Sequence, residues 1–295
     1  MRRLALLLAL GVTWVAGCAP GAAVRSTSWL PHRRPFQGPT GPDVVQMRIA
    51  LLECPPGESE WRYLNGELWQ LADESLIDLD RRDAMAESGF RVAKLGTQPP
   101  PALLALLTSK RNNPSPRDIA FRTGDPRPLA VGPTLAHCRY RSGRDGEPVA
   151  LDQADCQFVV TAAHGADGKT VLRVTPEVRH GDAKPAYRVD EKAGSLTAQP
   201  ERPAEAYPQM GWEAELALNG YLVVGGSYGR TESLGHQFFV RPDEAPPVQR
   251  LLVIQMGAPQ QEAPPAGPAR GAGPAARPAP LALQAALSAP RGTAP

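Results

Sequence analysis

Ser227 lies in a motif with the spacing needed for covalent catalysis. The segment GGSYG (225–229) matches G-x-S-x-G, in which a hydrolase holds a nucleophilic serine at a sharp turn between a strand and a helix. Such a serine also needs an acidic residue followed by a histidine, yet the last histidine, His236, precedes Asp243. The residues after Ser227, with Gly235 and an aromatic segment, predict a strand and not a helix. A serine hydrolase using Ser227 is therefore a minor alternative.

Acidic and imidazole side chains could also hold a metal or transfer protons, but their arrangement does not favour either role. Five acidic residues lie within 73–83 without a histidine or a spaced acidic triplet, which predicts a solvated helix face with caps. The histidines lack the i, i+4 pairing of a metal-binding helix. We expect no metal, no cofactor and no catalytic residue. The groups considered are Asp73, Glu74, Asp78, Asp80 and Asp83, and His32, His137, His164, His180 and His236.

The N-terminus has the layout of an export signal. Two arginines precede an apolar run from Leu4 to Val15, which is shorter than the roughly 20 residues needed to cross a bilayer. Residues 1–17 are therefore predicted to be a cleaved signal peptide.

The cysteine that follows is the expected site of a lipid anchor. VAGC (15–18) resembles the lipobox of bacterial lipoproteins, with Val15 where that family prefers leucine. The resemblance implies that the mature chain starts at Cys18 with several acyl chains, which together anchor a protein stably. Ala19, in place of an aspartate, favours the outer membrane and a periplasm-facing domain. In the alternative, an ordinary signal peptide is cut nearby and Cys18 remains a thiol.

Charge and composition separate a folded core from its two ends. The chain has 32 basic and 30 acidic residues, and loss of the two signal-peptide arginines would equalise them. This balance excludes nucleic-acid binding driven by excess positive charge. Residues 18–42 are rich in Pro, Gly and Ser and predict a tether. Residues 258–295 consist mainly of Ala, Pro and Gly and predict a disordered tail.

The first part of the core, residues 43–110, predicts a small mixed α/β subdomain. Val44 to Glu53 is an apolar strand, and a helix follows a cap at Ser59, with Gly66 weakening its middle. A second helix, capped by Asp78 or Asp80, should stop at Gly89. A strand at Phe90 to Leu95 and a short apolar helix after Pro99 to Pro101 complete this part. Residues 111–128 predict a linker.

The second part, residues 129–257, predicts a mostly antiparallel β module. Gln157 to Ala163 and Thr170 to Val178 form a hairpin around Asp167-Gly168. Asn219-Gly220 predicts another hairpin, between a strand starting at Trp212 and Tyr221 to Val224. The last two strands are expected at residues 237–241 and 249–256. The fold class is therefore α+β.

Three segments of this second part resemble the C-terminal module of secretins, the ring-forming outer-membrane channels. They are KTVLRVTPEV (169–178), LNGYLVVGGS (218–227) and RLLVIQM (250–256). Residues 228–241 lack the Leu-Pro and Ile-Pro repeats that form part of the channel wall, so the resemblance implies a reduced relative without a pore. An unrelated hairpin with a Gly-Gly bend is the alternative. The WxxxDE segment at 69–74 is also similar to uncharacterised bacterial envelope lipoproteins.

Together these features predict a non-enzymatic, membrane-anchored envelope lipoprotein with a structural or accessory role. Its partners would be the membrane, through the lipid, and envelope or secretion-system proteins. The alternative is a binding module for a cell-wall or secreted ligand.

Export also predicts a disulfide between Cys138 and Cys156. Both lie in predicted strands that Ser-Gly and Asp-Gly turns bring side by side, and exported thiols meet oxidising conditions. Cys54 ends a strand in the other subdomain and is expected to remain a buried thiol. The alternative is a pair of unlinked core cysteines.

Overall fold

A computed structural model describes residues 41, 43–141, 146–190, 195–241 and 247–257 of the chain. The predicted α+β class is confirmed, because antiparallel sheets dominate and a small helical part lies near the N-terminus. The predicted signal peptide, Cys18, the tether and the Ala/Pro-rich tail lie outside the described residues. Among the described residues, no helix is long and apolar enough to cross a membrane.

The described strands fall into two six-stranded sheets and a separate ribbon. Sheet A has the order β2-β12-β14-β1-β3, with β13 also on β14; sheet B has the order β10-β7-β6-β4, with β11 also on β7 and β5 also on β6. The ribbon consists of β8 and β9. The strands are β1 Val44–Cys54, β2 Phe90–Leu95, β3 Arg117–Arg122, β4 Arg127–Ala130, β5 Leu135–Arg141, β6 Pro148–His164, β7 Thr170–Arg179, β8 Lys184–Asp190, β9 Ser195–Glu201, β10 Ala204–Ala206, β11 Trp212–Leu216, β12 Tyr221–Gly226, β13 Val240–Arg241 and β14 Val248–Met256.

Helical segments pack mainly beside sheet A. They are α1 Ser59–Arg62, a π-helical segment Tyr63–Glu67, α2 Leu68–Leu71, α3 Leu79–Glu87, α4 Pro101–Thr108 and α5 Leu234–Phe239. Gly66, expected to weaken the first helix, lies in its π-helical segment. The Asp78 side chain caps α3 by accepting from the Arg81 N–H, and Gly89 follows that helix with φ +81°. The helices predicted for the first part of the core are therefore confirmed, but Ser59 is the first residue of α1 and not its cap, because Glu58 occupies the N-cap position.

Sheet A is the middle of three layers. Alternate residues of β1 and β14 point to opposite faces, as strand geometry requires. Met47, Ile49 and Ile254 belong to the core shared with sheet B, which contains Phe158. The residues between them, such as Leu52 and Val253, belong to a second core with α2 and α4. The centre of a strand buried on both faces is apolar, which explains the LLVI run of β14, and polar residues of this strand are buried only on either side of that run.

The predicted linker at 111–128 needs correction. Residues 117–122 form β3, which pairs with β1, and β4 begins at Arg127. Sheet A also combines β1, β2 and β3 with β12 and β14, so it takes strands from both sides of that linker. The physical reason is that β1 requires a neighbour on each edge, and a strand from the polar-looking segment RDIAFR supplies one of them.

Two other strand predictions were wrong. Asn219-Gly220 does not close a hairpin, because β11 pairs with β7 in sheet B whereas β12 pairs with β2 and β14 in sheet A. Asn219 does adopt the expected positive φ of 60°. Residues 237–241 are not one strand, since α5 extends to Phe239 and only Val240 and Arg241 pair with β14. The Ser233 side chain caps α5 by accepting from the His236 N–H at 3.2 Å.

Candidate functional site

A cleft of about 670 Å³ opens between one edge of sheet A and one edge of sheet B. Its walls come from the end of β2 with Gly96 and Thr97, from β11 and the turn after it, and from the 3-10 segment Glu74–Leu76. Leu95 and Leu216 supply apolar surface, while charged side chains surround the opening. A volume of this size accommodates a small ligand or a short peptide segment. The charged residues are Asp73, Lys94, Lys169, Glu213 and Glu215.

The cleft charges form ion pairs on its rim. Lys94 Nζ lies 3.1 Å from Asp73 Oδ2, and Lys169 Nζ lies 3.4 Å from Glu215 Oε1. Glu213 pairs with Arg173 on β7 at 2.7 Å. Hydrogen bonds from Ser75, supported by Lys94, lower the pKa of Asp73 to about 2. Because these ion pairs are exposed, each charged side chain can leave its partner and bind a carboxylate or ammonium group of a ligand at low cost.

The WxxxDE segment (69–74) packs along the outer edge of β2. The backbone N–H and carbonyl of Asp73 both bond to Lys94, at 2.9 and 3.0 Å, and so extend the sheet by one bridge. Glu74 pairs with Arg91 at 2.9 Å. The Arg91 guanidinium lies 4.3 Å from the centre of the Trp69 ring, a cation–π contact. The motif therefore acts here by holding α2 against sheet A.

The Gly225-Gly226 pair also serves packing. A Cβ on Gly225 would meet Trp69 and Leu251 at 3.0 Å, and one on Gly226 would lie 2.7 Å from the carbonyl oxygen of Gly235. A Cβ on Gly235 would in turn overlap the backbone of Gly89. Side chains are thus excluded where α5 crosses the end of sheet A. The glycines that suggested a nucleophile turn allow two backbones to approach closely.

Ser227 is half-buried and its N–H donates to the carbonyl of Gly89 at 2.9 Å. The helix α5 starts seven residues later, so the strand and the helix are separated by a loop and not by a sharp turn. Among the described residues, no hydrogen bond joins Ser227 to His236. His236 is buried, and desolvation lowers its pKa although its ring bonds to the Tyr228 backbone. The arrangement lacks the direct contact by which a histidine activates a serine.

The other predicted site residues lie apart from the cleft. Asp80 and Asp83 are exposed on α3, and Asp78 caps that helix, as the solvated-face interpretation predicts. His137 contacts Asp152 at 2.8 Å on the surface, and His180 lies 3.7 Å from Glu205. Within the described ranges, no group of three or more His, Cys, Asp or Glu residues could hold a metal ion.

The cysteines occupy two different cores. Cys54 lies on the helix side of sheet A, where burial raises its pKa to about 11 despite a hydrogen bond from Asn112. Cys138 and Cys156 lie between the sheets as free thiols in contact with each other. The structure thus brings the predicted pair together without a bond between the sulfurs.

Sequence reasoning missed the cleft because its residues are far apart in the chain. Apolar and acidic residues alternate in WEAEL of β11, and only this pattern could have indicated an edge strand with one solvated face. Comparison with protein-family models, with curated proteins and with solved structures finds no match.

Proposed function

We propose that this protein is a lipid-anchored, non-enzymatic accessory protein of the bacterial envelope, which works by holding a partner in the cleft between β2 and β11. The observation that carries the proposal is the cleft itself, which is lined by charged side chains of both signs from distant parts of the chain. Of the WxxxDE residues only Asp73 lines it, beside Lys94, while Glu74 and Trp69 hold this segment on β2 through Arg91.

The shape of the cleft favours a polar partner of mixed charge. Three carboxylates and two ammonium groups line it, so neither a polyanion nor a strongly cationic ligand is matched by net charge. An envelope protein segment or a zwitterionic cell-wall peptide fits this pattern. The second of these is the alternative function, a binding module for a cell-wall or secreted ligand, and the volume of the cleft supports it.

In vivo crosslinking tests the proposal. A photoreactive amino acid at Thr97, exposed in the cleft wall, should capture a discrete envelope protein in living cells, identified by mass spectrometry. The same group at Leu79, exposed on α3, is the control and should give no discrete product. Capture of peptidoglycan fragments alone would favour the binding module. Equal labelling from both positions, or no product from Thr97, would contradict use of the cleft.

Charge reversal sharpens this test. Lys94→Glu places a carboxylate beside Asp73 and should abolish the Thr97 product by repelling the partner. Asp83→Lys, on the exposed face of α3, is the matched reversal and should leave the product unchanged. An undiminished product in Lys94→Glu would show that the rim charges do not take part.

Lipid attachment is the second part of the proposal. The mature N-terminus should be Cys18 carrying acyl groups, and Cys18→Ser should release the protein from the membrane fraction. Density-gradient fractionation should place the wild type with the outer membrane. A mature terminus at another residue, without lipid, would contradict this part.

The accessory role also excludes a pore of its own. Purified protein should give neither detergent-resistant rings in micrographs nor discrete conductance steps in planar bilayers. Either observation would indicate that the chain forms a channel, as secretins do.

A further inference from the structure

Two buried thiols meet in the core between the sheets. Cys138 on β5 is 0% exposed and Cys156 on β6 is 5% exposed, and each is the hydrogen-bond partner of the other. Both residues face the same apolar cluster as Phe158. Buried neighbouring thiols are the arrangement from which a disulfide can form when an exported chain meets an oxidant.

A bend in β6 creates this contact. In the β5–β6 ladder Cys138 lies opposite Leu151, five positions from Cys156. Gln153, between them, has φ 53°; β6 pairs with β5 as far as Ala154 and with β4 from Gln157 onward. Immediately after β4 the chain runs beside Cys156, and the Val131 N–H donates to the Cys156 carbonyl at 3.2 Å. The thiols therefore meet across a change of direction and not as cross-strand neighbours.

The surroundings shield both sulfurs from solvent. Tyr140, two residues after Cys138, packs against Tyr207 with ring centroids 6.1 Å apart, and their hydroxyls are hydrogen-bonded. Both phenols have raised pKa values because they are buried. In the folded chain the neighbouring Cys156 lowers the pKa of Cys138. A reagent in solution has no direct access to either sulfur in the folded chain.

We propose that Cys138 and Cys156 are joined during folding of the exported chain, and that the bond is a latch that fixes the bend of β6 and holds the β5–β6 hairpin on the core. The inference rests on the export assumed in the proposed function. It differs from a surface redox switch because burial separates the bond from the solvent once folding is complete.

The reaction is a thiol–disulfide exchange with a disulfide oxidant of the envelope. The thiolate of Cys138 attacks one oxidant sulfur and releases the other as a thiolate, giving a mixed disulfide. Cys156, deprotonated by solvent while the hairpin is still open, attacks Cys138 Sγ and releases the second oxidant sulfur. One S–S bond forms in the protein as one breaks in the oxidant, which takes up both electrons and, on protonation, two protons.

The test traps the thiols of the full-length protein taken from the native envelope. Cells are quenched in acid, the protein is denatured, and free thiols are labelled with a maleimide polymer that shifts electrophoretic mobility. We expect one label without reductant, on Cys54, and three after reduction. Cys54 is the internal standard for complete labelling. Three labels without reductant in a protein whose Cys18 is lipidated would overturn the latch and leave export intact. Four labels in a protein that still carries residues 1–17 would show that the proposed export fails as well.

Refolding separates geometry from compartment. Full-length Cys18→Ser protein, reduced in denaturant and refolded with a small disulfide, should form the 138–156 bond in preference to any bond with Cys54. In native buffer its reduction should be at least about tenfold slower than in denaturant because the sulfurs are buried. Preferential pairing with Cys54, or equal reduction rates, would contradict the proposal.

A stability comparison completes the test. Reductant should raise the equilibrium constant for unfolding on the order of a hundredfold in the wild type and in Cys54→Ser, as expected for closing a loop of this size. It should have no effect in the Cys138→Ser/Cys156→Ser double variant. If that variant fails to fold, the single Cys156→Ala variant replaces it, since alanine leaves no polar group in the core. A wild type insensitive to reductant would show that no latch exists.

Discussion

The two sheets are assembled from differently arranged parts of the chain. The central pair of sheet B, β6 and β7, is contiguous in sequence and closes through Asp167 and Gly168, whose φ values are 58° and 70°. The central strands of sheet A, β1 and β14, come from opposite ends of the folded region and pair over eight residues from Met47 to Cys54. A local turn thus sets the register of one sheet, whereas side-chain packing must set the register of the other.

The glycines of the two sheets show the same contrast. Gly168 is needed for its backbone angle, and a Cβ there would meet nothing within 4 Å. Gly226 and Gly235 have ordinary angles but no room for a side chain. Sheet B therefore depends on a conformation that the chain can adopt by itself, while sheet A depends on the close approach of distant segments. Gly235→Ala and Gly168→Ala test this difference directly, and Arg91→Lys and His236→Phe measure smaller contributions beside sheet A.

Gly235→Ala should have the largest effect. The added methyl would overlap the backbone of Gly89 and force α5 away from sheet A, which should lower the free energy of unfolding by about 3 kcal/mol. Chemical denaturation monitored by circular dichroism measures the change. Gly66→Ala is the matched control, since its Cβ would meet nothing within 4 Å and alanine favours a helix. A loss below 0.5 kcal/mol would show that α5 adjusts freely.

Gly168→Ala should cost about 1 kcal/mol, because alanine is strained at a positive φ but has space here. The hairpin should keep its register, so amide exchange in β6 and β7 should retain its pattern. Gly168→Asn, which tolerates this backbone region, should recover most of the loss. A cost as large as that of Gly235→Ala would refute the distinction between the sheets.

Arg91→Lys should cost about 0.5 kcal/mol. Lysine keeps the charge beside Glu74 but loses the planar stacking on Trp69, in a pair that is partly exposed. Urea denaturation of Arg91→Lys and of Glu74→Gln, with Asp83→Asn as the surface control, measures the contribution of this contact. If Arg91→Lys equals the control, the stacking adds nothing to sheet A.

His236 should give the smallest effect, a dependence of stability on pH. Burial lowers its pKa in the folded state below the ordinary 6.5, so below pH 6.5 the unfolded chain binds more protons than the folded one. Stability should therefore fall as the pH decreases through this value towards the folded-state pKa. The slope should be smaller in His236→Phe, which cannot be protonated, with the other histidines common to both proteins. Identical slopes would contradict the assignment.

The sequence alone determined the elements whose signals are local. An apolar β1, the capped helix after Asp78, the strand Phe90–Leu95 and the β6–β7 hairpin follow from periodicity, capping residues and turn chemistry within short segments. These features hold because each lowers the free energy of its own segment in any compact arrangement.

Only the tertiary structure decided which strands share a sheet and where the cleft lies. Asn219-Gly220 turns the chain as its residue types require, yet no local signal shows that β11 and β12 then enter different sheets. The cleft follows from that separation, because it lies between the edges of β2 and β11 and is lined by residues from 73 to 220. Burial of both faces of sheet A outweighs the local preference for a hairpin, and such burial depends on residues distant in the chain.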